Sequence, residues 1–329
     1  MGAPWEPGQL SRAVKAPFPA APRPQLATLS KEVPGGDDWL HEIKYDGYRL
    51  LCSIQDGRAR LFSRGGLDWT DKLSLLASSA RELPAREAVL DGEIVILRPD
   101  GTSDFQALQK TIGGGNPSGL VYYLFDVLYG DGYDVRTAPL VERKALLRSL
   151  LEGGPSDRLR FSDHVRGQGA EVLARACALG AEGIVSKLAS SIYEPRRTRT
   201  WLKIKCSHRQ EFVIVGYTDP EGSRTAFGAL LLAVYDDEGR LVFSGQVGTG
   251  FSEETLHDLM RLLKDKEQEE SPLGETPREL RAAHWVRPEL VAEVEFTEWT
   301  SEGRLRHPSF KGLRFDKPPR DVRREQAGS

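Results

Sequence analysis

The sequence predicts an α+β fold with hairpin-linked strands, followed by a second part made mostly of strands. Two observations lead to this prediction. Up to Cys206, short apolar runs with a strand period alternate with amphipathic helical stretches. Beyond Cys206, strand-like runs dominate and one helical stretch interrupts them. The chain has 329 residues, which is enough for two domains that each bury a core of their own.

The elements of the first part follow from periodicity and from turn residues. The strand-like runs are 39–44, 48–54, 58–62, 88–97, 120–128, 183–188 and 200–205, and the helical stretches are 71–82, 103–111, 140–151 and 170–179. Ser103 begins a sequence with the form of a capping box, and Gly180 stands where a helix commonly ends. No internal repeat is evident.

The second part contains five strand candidates and one helix. The strands are 212–217, 229–235, 241–247, 291–297 and 304–307, and the helix is 252–263 with Ser252 as its N-cap. This pattern fits a small, partly open Greek-key barrel of the OB type. A helix-covered antiparallel sheet fits it equally well.

The two ends of the chain differ from the rest. Residues 1–23 contain Pro4, Pro7, Pro17, Pro19 and Pro22 with little apolar periodicity, so we expect a tail or a linker there. We expect domains at 24–206 and 207–320, followed by a basic tail at 321–329.

Bulk composition excludes several classes of protein. No apolar run reaches membrane-spanning length, and the N-terminus lacks a basic-then-apolar leader. The three cysteines, Cys52, Cys177 and Cys206, have neither paired nor metal-ligand spacing, so we expect reduced thiols in a cytosolic protein. The net charge of −3 does not by itself indicate nucleic-acid binding. However, residues 196–209 hold six Lys or Arg and no acid, which favours a phosphate-binding surface over a merely solvated face.

The hexapeptide KYDGYR begins at Lys44, where a predicted strand ends. A lysine before an Asp-Gly turn suits an amine displayed at a sheet edge, although most such lysines are only solvated turn residues. To attack phosphorus the amine must be neutral, and a free lysine is about 0.1% neutral near pH 7.4. Nearby positive charge lowers a lysine's pKa. Lys203 and Lys205 lie two positions apart in a predicted strand, so both would project from one face. There they could lower the pKa of Lys44 and also hold a phosphate. The alternative is an edge strand whose lysines face solvent.

Several further motifs follow the Lys44 motif in a fixed order. They are SRG at 63–65, LDGEIV at 90–95, YLFD at 123–126, EGIVSK at 182–187, WLKIK at 201–205 and RFDK at 314–317. Together they resemble the motif set of the covalent nucleotidyltransferases, which comprise ATP-dependent DNA ligases, RNA ligases and mRNA capping enzymes. The flanking segments HEI at 41–43, RQEFV at 209–213 and RHPSFKG at 306–312 look like the ligase domain of bacterial ligase D. The resemblance runs from about Pro24 to Arg320.

The resemblance implies a nucleotidyltransferase domain with antiparallel-rich sheets and a C-terminal OB-fold barrel. It also implies a role for each motif residue. Lys44 would be the nucleophile, Glu182 would bind Mg²⁺ or Mn²⁺, and Glu93 would contact the ribose and assist the metal. The remaining contacts to ATP would come from Glu42 in the adenine pocket, Phe125 stacked on adenine, Arg49 and Arg64 on ribose or phosphates, Lys203 and Lys205 on the α-phosphate, and Arg314 and Lys317 on the leaving pyrophosphate.

Two positions depart from the family pattern. Gly65 stands where relatives commonly have asparagine, which removes a polar group near the substrate strand, and Phe315 stands where relatives often have a charged residue or proline. Arg197 and Arg199 are candidate contacts to the DNA 5′-phosphate. Because the Arg314 motif lies far along the chain, the resemblance implies a closing movement of the second domain.

The function implied is sealing of nicked or broken double-stranded DNA through a lysyl-AMP intermediate, in bacterial end joining. We expect a monomer in the bacterial cytoplasm at the nucleoid. Cooperation with Ku and an end-joining polymerase, and a preference for a 3′-terminal ribonucleotide, are implied only by the resemblance. The alternatives are an RNA ligase or a GTP-using capping-type enzyme, and a binding module that kept the fold without the chemistry.

Overall fold

The computed structural model describes residues 5–325 except 115–116, 153, 155, 221–225 and 281. Pro4 of the expected tail and residues 326–329 of the expected basic tail therefore lie outside the described residues. The chain divides into two compact units, and the division falls between Cys206 and Ser207, where the sequence pattern changes.

The first unit contains twelve strands and four α-helices among its described residues. The strands are β1 (Val14–Lys15), β2 (Leu26–Leu29), β3 (Trp39–Ile43), β4 (Tyr48–Gln55), β5 (Arg58–Ser63), β6 (Ala88–Ile96), β7 (Leu120–Gly130), β8 (Tyr133–Asp134), β9 (Leu159–Phe161), β10 (His164–Arg166), β11 (Gly183–Leu188) and β12 (Arg197–Lys205). The helices are α1 (Ser74–Arg81), α2 (Phe105–Ile112), α3 (Leu140–Glu152) and α4 (Gly169–Ala178), with 3₁₀ turns at Pro7–Gln9, Asp71–Leu73 and Pro117–Gly119.

These strands form two sheets with mostly antiparallel pairing. The first sheet has the order β1-β8-β7-β6-β4-β5 with β9 beside β7, and the second has the order β10-β3-β11-β12-β2. A cluster of buried side chains that includes Leu51 and Phe125 of the first sheet and Trp201 of the second joins the two. The rings of Phe125 and Trp201 meet edge to face, with centroids 6.0 Å apart. The expected α+β class is therefore confirmed.

The predicted elements of this unit are all present, with ends shifted by three residues or fewer. Gly180 follows the end of α4 with φ +77°, as predicted for a helix-terminating glycine. The capping box at Ser103 is wrong by one position. Asp104 is the N-cap of α2, and its carboxylate accepts the Ala107 N–H at 3.0 Å.

Residues 5–18, expected as part of a tail or linker, lie against the first sheet. β1 pairs with β8, the Trp5 indole N–H donates to Asp131 at 2.8 Å, and the Ser11 hydroxyl donates to Glu142 at 2.6 Å. Phe18 packs edge-on against Tyr129. Isolated residues and a two-residue strand provide these contacts, and they produce no periodic pattern that sequence inspection could detect.

Two of the three cysteines are not the reduced thiols that were expected. Cys177, at the end of α4, and Cys206, directly after β12, form a disulfide across 29 positions of sequence. The fold brings their Cα atoms to 5.4 Å, a proximity that their spacing in sequence does not reveal. Cys52 is a free thiol, and its burial raises its pKa to about 12.

Among its described residues, the second unit contains a six-stranded antiparallel sheet, a separate two-stranded sheet and one α-helix. Its strands are β13 (His208–Tyr217), β14 (Leu230–Tyr235), β15 (Leu241–Val247), β16 (Glu267–Gln268), β17 (His284–Phe296), β18 (Glu298–Trp299), β19 (Leu305–Arg306) and β20 (Ser309–Leu313), and its helix is α5 (Glu253–Lys264), with 3₁₀ turns at Arg278–Leu280 and Pro319–Asp321. The sheet order is β15-β14-β13-β17-β16, with β20 also on β17. Within the described residues no strand pairing closes this sheet into a full barrel.

Two predictions for this unit have different outcomes. Ser252 caps α5 as predicted, since its hydroxyl accepts the Thr255 N–H at 3.1 Å. The predicted strand 304–307 is mostly wrong, because only Leu305–Arg306 pairs there and His307 has φ +49°. The strand that extends the sheet is β20, just beyond that interruption. None of the helices that the structure describes is long and apolar enough to span a membrane.

Candidate active site

Lys44 lies one residue past the end of β3, beside the start of β11. Ile43 of β3 pairs with Ile184 of β11, and the Lys44 N–H donates to the Gly183 carbonyl at 2.9 Å. This antiparallel register places Glu182, the residue before β11, within reach of Lys44. The Lys44 ammonium forms an ion pair with the Glu182 carboxylate, which is almost fully buried. The predicted nucleophile and the predicted metal ligand are therefore in direct contact.

Two glycines permit the close backbone packing around Lys44. A Cβ atom on Gly47 would lie 2.0 Å from the carbonyl oxygen of Ile94, so the turn after Lys44 can approach β6 only with glycine there. Gly183 has φ +153°, and a Cβ atom there would lie 2.1 Å from the Ile204 carbonyl oxygen. Gly47 and Gly183 thus allow close packing at this edge of the sheets, the first against β6 and the second against β12.

Lys203 and Lys205 lie on β12, on the face of the second sheet that carries Glu42. Val185 of β11 pairs with Glu42 on one side and with Lys203 on the other, and Gly183 pairs with Lys205. Directly opposed residues on antiparallel strands share a face, so these lysines project toward the same side as Glu42. Ile204 points the other way into a buried cluster, as predicted from the period of two. The strand spacing places the β12 backbone about 10 Å from β3.

Arg49 is held in a fixed orientation by Asp91. Its Nε and Nη2 donate to the two oxygens of Asp91 at 2.9 and 2.6 Å, and the Tyr193 hydroxyl donates to the same carboxylate at 2.6 Å. Burial lowers the Arg49 pKa, but the Asp91 charge outweighs burial and the net shift is upward. The guanidinium centre lies 5.2 Å from the centroid of the Phe125 ring. Arg49 is thus a rigid cation beside the predicted stacking ring.

Glu93 lies in one row with Arg49 and Tyr123 across the first sheet. Arg49 pairs with Glu93, and Glu93 pairs with Tyr123. The ring of Tyr123 stacks on Tyr45 with centroids 4.0 Å apart. Because Tyr45 directly follows Lys44, its stacking on Tyr123 places the row that contains Glu93 next to the turn after Lys44.

Two further expected nucleotide contacts in the first unit, Glu42 and Phe125, are largely buried. Phe125 is 9% exposed and packs against Trp201. Glu42 is 2% exposed, and its carboxylate accepts hydrogen bonds from Lys144 at 2.7 Å and from Lys187 at 2.9 Å. Burial raises the pKa of Glu42, but these two ammoniums outweigh burial and the net pKa is lowered.

The other arginines of the first unit lie at strand ends. Arg64 follows β5, whose last residue Ser63 pairs with Leu50, so Arg64 lies at the end of the row that contains Arg49. Arg197 and Arg199 are exposed on the opening half of β12, and the Arg197 guanidinium donates to the Ala27 carbonyl. They lie at the opposite end of β12 from Lys203 and Lys205.

Arg314 and Lys317 belong to the second unit and are engaged there in ion pairs. Arg314 donates two hydrogen bonds to Asp316 at 2.9 and 2.8 Å and one to Glu293 at 3.0 Å. The Lys317 ammonium lies 3.0 Å from Glu211. Both side chains are thus held by carboxylates of their own unit.

Several side chains at the site were not predicted from the sequence. Lys144 and Lys187 donate to Glu42, and Trp201 packs against Phe125. Asp91 accepts hydrogen bonds from Arg49, and the Tyr193 hydroxyl donates to Asp91. Lys187 and Trp201 lie inside quoted motifs, and Trp201 shares a face of β12 with Lys203, which was an available signal. Lys144 lies 102 positions from Glu42, and nothing local marks it.

Comparison with known proteins identifies the family. The model of the ATP-dependent DNA ligase domain matches residues 20–205, and that of the ATP-dependent DNA ligase C-terminal region matches residues 223–317. The multifunctional non-homologous end joining protein LigD of Pseudomonas aeruginosa is 44% identical over 95% of this chain and 38% of its own length. The corresponding DNA repair protein of Mycobacterium tuberculosis is 38% identical over 87% of this chain and 37% of its own length.

A solved structure agrees with these sequence matches. The mycobacterial DNA ligase D, solved in complex with ATP and MES, is 35% identical in sequence to this chain. The structural match covers 92% of this chain and 98% of the mycobacterial chain, with a TM-score of 0.68. The chain therefore has a nucleotidyltransferase unit followed by an OB-type unit, and it spans less than two fifths of the length of the curated relatives named above. This chain belongs to the ATP-dependent DNA ligase family and resembles the ligase domain of LigD.

Proposed function

We propose that this chain is an ATP-dependent DNA ligase that joins a 3′-hydroxyl to a 5′-phosphate in double-stranded DNA during bacterial end joining. The observation that carries the proposal is the Lys44–Glu182 contact, on a sheet whose neighbouring strand presents Lys203 and Lys205. The names of the relatives, which are end-joining and DNA repair proteins, support the biological setting.

Three phosphoryl transfers make up the reaction. The Lys44 nitrogen attacks the α-phosphorus of ATP, a P–N bond forms, and pyrophosphate leaves with the electrons of the broken P–O bond. The 5′-phosphate of the nick then takes AMP from Lys44, and the 3′-hydroxyl displaces AMP to form the phosphodiester. Phosphoryl transfer depends mainly on positioning and charge neutralisation, so one set of lysines can serve all three steps.

The residues of the first unit divide this work. Glu182 holds the Lys44 ammonium in the free protein, and its carboxylate is within hydrogen-bond reach to accept the proton that Lys44 must lose. Lys203 and Lys205 neutralise the non-bridging oxygens of the α-phosphate. Arg49 presents a guanidinium oriented by Asp91 to the ribose or phosphates, and Arg64 extends the same row.

The carboxylates of the site fit a hard divalent cation. Among the described residues no group of three or more His, Cys, Asp or Glu could hold a metal alone. Mg²⁺ usually takes one or two carboxylates and completes its shell with water and phosphate oxygens. The buried Glu182 carboxylate already holds a cation, the Lys44 ammonium, which is the property that such a site requires. Glu182, assisted by Glu93, would hold Mg²⁺ or Mn²⁺, which would neutralise charge on the transferring phosphate.

The wider setting follows from the resemblance. We assign residues 24–206 as the adenylation domain and 207–320 as the OB-fold domain, with Arg314 and Lys317 orienting the pyrophosphate and Arg197 and Arg199 contacting the 5′-phosphate. We expect a monomer that works on chromosomal DNA in the bacterial cytoplasm together with Ku and an end-joining polymerase.

The test is nick sealing with defined substrates. A purified chain incubated with ATP and Mg²⁺ or Mn²⁺ should seal a nicked DNA duplex, including one with a 3′-terminal ribonucleotide, and the same assay with GTP should yield no product. Sealing of nicked RNA but not of nicked DNA, or a requirement for GTP, would assign the chain to a different branch of the nucleotidyltransferases.

A further inference from the structure

A buried charge cluster lies behind Lys44 and is formed by Glu42, Lys144, Lys187 and Ser162, hereafter the Glu42 cluster. Lys144 donates to one oxygen of Glu42 at 2.7 Å, and Lys187 donates to the other at 2.9 Å. The Ser162 hydroxyl donates to this second oxygen at 3.1 Å, and Lys144 also donates to the Ser162 carbonyl at 3.0 Å. All four residues are 2% exposed or less. They come from three strands or strand ends and one helix, so tertiary packing fixes their geometry.

The cluster holds two ammoniums for one carboxylate, which leaves an excess of buried positive charge. Burial lowers the pKa of Lys187 to about 8, with Glu42 opposing and Lys144 reinforcing this shift. His164, which packs near the cluster, has its pKa lowered to about 4 by burial and then by the charge of Lys144. A buried cluster with this composition is costly to maintain unless each charge has a defined partner. Here each ammonium has an oxygen partner on Glu42, so the three side chains are held in one arrangement.

Lys187 joins the carboxylate to the aromatic wall of the site. Its ammonium lies 4.1 Å from the centroid of the Phe125 ring and 4.2 Å from that of Trp201. At these distances a desolvated ammonium is attracted to the face of each ring. One cation therefore fixes both Glu42 and Phe125, the two side chains expected at the adenine base.

We propose that Lys187, supported by Lys144, is a positioning residue that makes the site selective for adenine. This inference rests on the proposed function. A carboxylate has about four acceptor positions, and the Glu42 cluster occupies three of them. The remaining position lies on the oxygen that Lys144 contacts, and in this proposal it accepts a hydrogen bond from the 6-amino group of adenine. A purine with a 6-oxo group offers an acceptor at that place, and two acceptors repel each other.

The experiment measures covalent labelling of the protein by α-³²P-ATP, with unlabelled ITP as the competitor that replaces the 6-amino group by an oxo group. Lys187→Met and Lys144→Met are compared with Arg148→Met. Arg148 lies one turn beyond Lys144 on α3 and lies over the same Phe161 ring, but it pairs with the exposed Asp163 at 2.6 Å and not with Glu42, so it controls for the loss of a cation at this place. Thermal unfolding establishes that each variant is folded.

We expect Lys187→Met to raise the KM for ATP about tenfold or more, with a maximal labelling rate within about threefold of wild type, because positioning of the base affects binding and leaves the reacting atoms unchanged. The preference for ATP over ITP should fall about tenfold. Lys144→Met should shift both quantities in the same direction, and Arg148→Met should shift neither.

A folded Lys187→Met protein with unchanged KM and unchanged discrimination against ITP overturns this inference while leaving the proposed function intact. A wild-type protein that takes no label overturns the proposed function, and the inference falls with it. If Lys187→Met fails to fold, the Glu42→Gln/Lys187→Met pair replaces it, since this pair removes both charges and keeps an oxygen acceptor for Lys144. Retained discrimination against ITP in that pair contradicts the inference equally.

Discussion

Replacing Asp91 by asparagine tests whether a buried ion pair orients Arg49. Asp91 is fully buried, and its two oxygens accept Arg49 at 2.9 and 2.6 Å. Asparagine keeps one oxygen but turns an N–H group toward the guanidinium, so Arg49 loses its counterion and one hydrogen bond. Leaving a buried charge without its partner costs about 3–5 kcal/mol. Because the Tyr193 hydroxyl can still donate to the remaining oxygen, we expect the lower end of that range, about 3 kcal/mol.

Asp134→Asn is the matched control. Asp134 also receives a bidentate guanidinium, from Arg136, with distances of 2.9 and 2.6 Å, but the two side chains are 22% and 37% exposed. Water screens such a pair, so its loss should cost about 1 kcal/mol or less. The two substitutions are chemically identical and differ mainly in burial.

The assay is urea unfolding followed by far-UV circular dichroism, together with covalent labelling by α-³²P-ATP. Asp91→Asn should lower the free energy of unfolding of the first unit by about 3 kcal/mol. In the folded variant the KM for ATP should rise about tenfold, since Arg49 is no longer held toward the nucleotide. Equal losses of stability in Asp91→Asn and Asp134→Asn would refute the reasoning. An unchanged KM would remove Arg49 from the nucleotide site.

Three further predictions concern charge, the disulfide and pH. Lys203→Met and Lys205→Met should each slow covalent labelling by ATP about a hundredfold. Lys72 is an exposed lysine in the 3₁₀ turn before α1, and Lys72→Met should be labelled like wild type. Normal labelling of both Lys203→Met and Lys205→Met would contradict the role of their charge. The Cys177–Cys206 disulfide closes a loop of 29 positions, so reduction or Cys177→Ser should lower the free energy of unfolding by about 3.5 kcal/mol, and a wild-type protein insensitive to reductant would contradict this. Because the folded pKa of His164 lies near 4, below its ordinary value of 6.5, the stability it contributes is present above pH 6.5 and is lost as the pH falls toward 4. With solvent screening, this lost contribution to the free energy of unfolding should be about 2 kcal/mol. Urea unfolding at pH 7 and pH 4.5 should show that His164→Gln loses less stability on acidification than the wild-type protein. Equal losses in the two proteins would contradict the assignment.

The placement of residues that belong to local patterns could be predicted from the sequence. Lys44, Glu182 and the Lys203/Lys205 pair lie inside short motifs, and a strand period of two correctly places both lysines on one face with Ile204 opposite. The boundaries of most strands follow from the same periodicity.

Partners that arise from tertiary packing could not be predicted. Glu42 meets Lys144 across 102 positions, and Asp91 meets Tyr193 across another 102, with no local signal of either contact. The Cys177–Cys206 disulfide depends on the same kind of long-range proximity. The exact ends of helices and strands could not be predicted for a different reason. At Asp104 and near His307 a single side chain or a single backbone angle decides the boundary, and several neighbouring residues offer the same local preference.

We expect Lys44 to become covalently bound to AMP. The most direct measurement is incubation with α-³²P-ATP and divalent metal, after pyrophosphate has removed any pre-bound AMP, followed by a denaturing gel and peptide mapping. We predict one labelled peptide, which contains Lys44, loss of label on adding pyrophosphate, and no label on Lys44→Met. Label that persists in Lys44→Met, or a labelled peptide from elsewhere in the chain, would contradict the account.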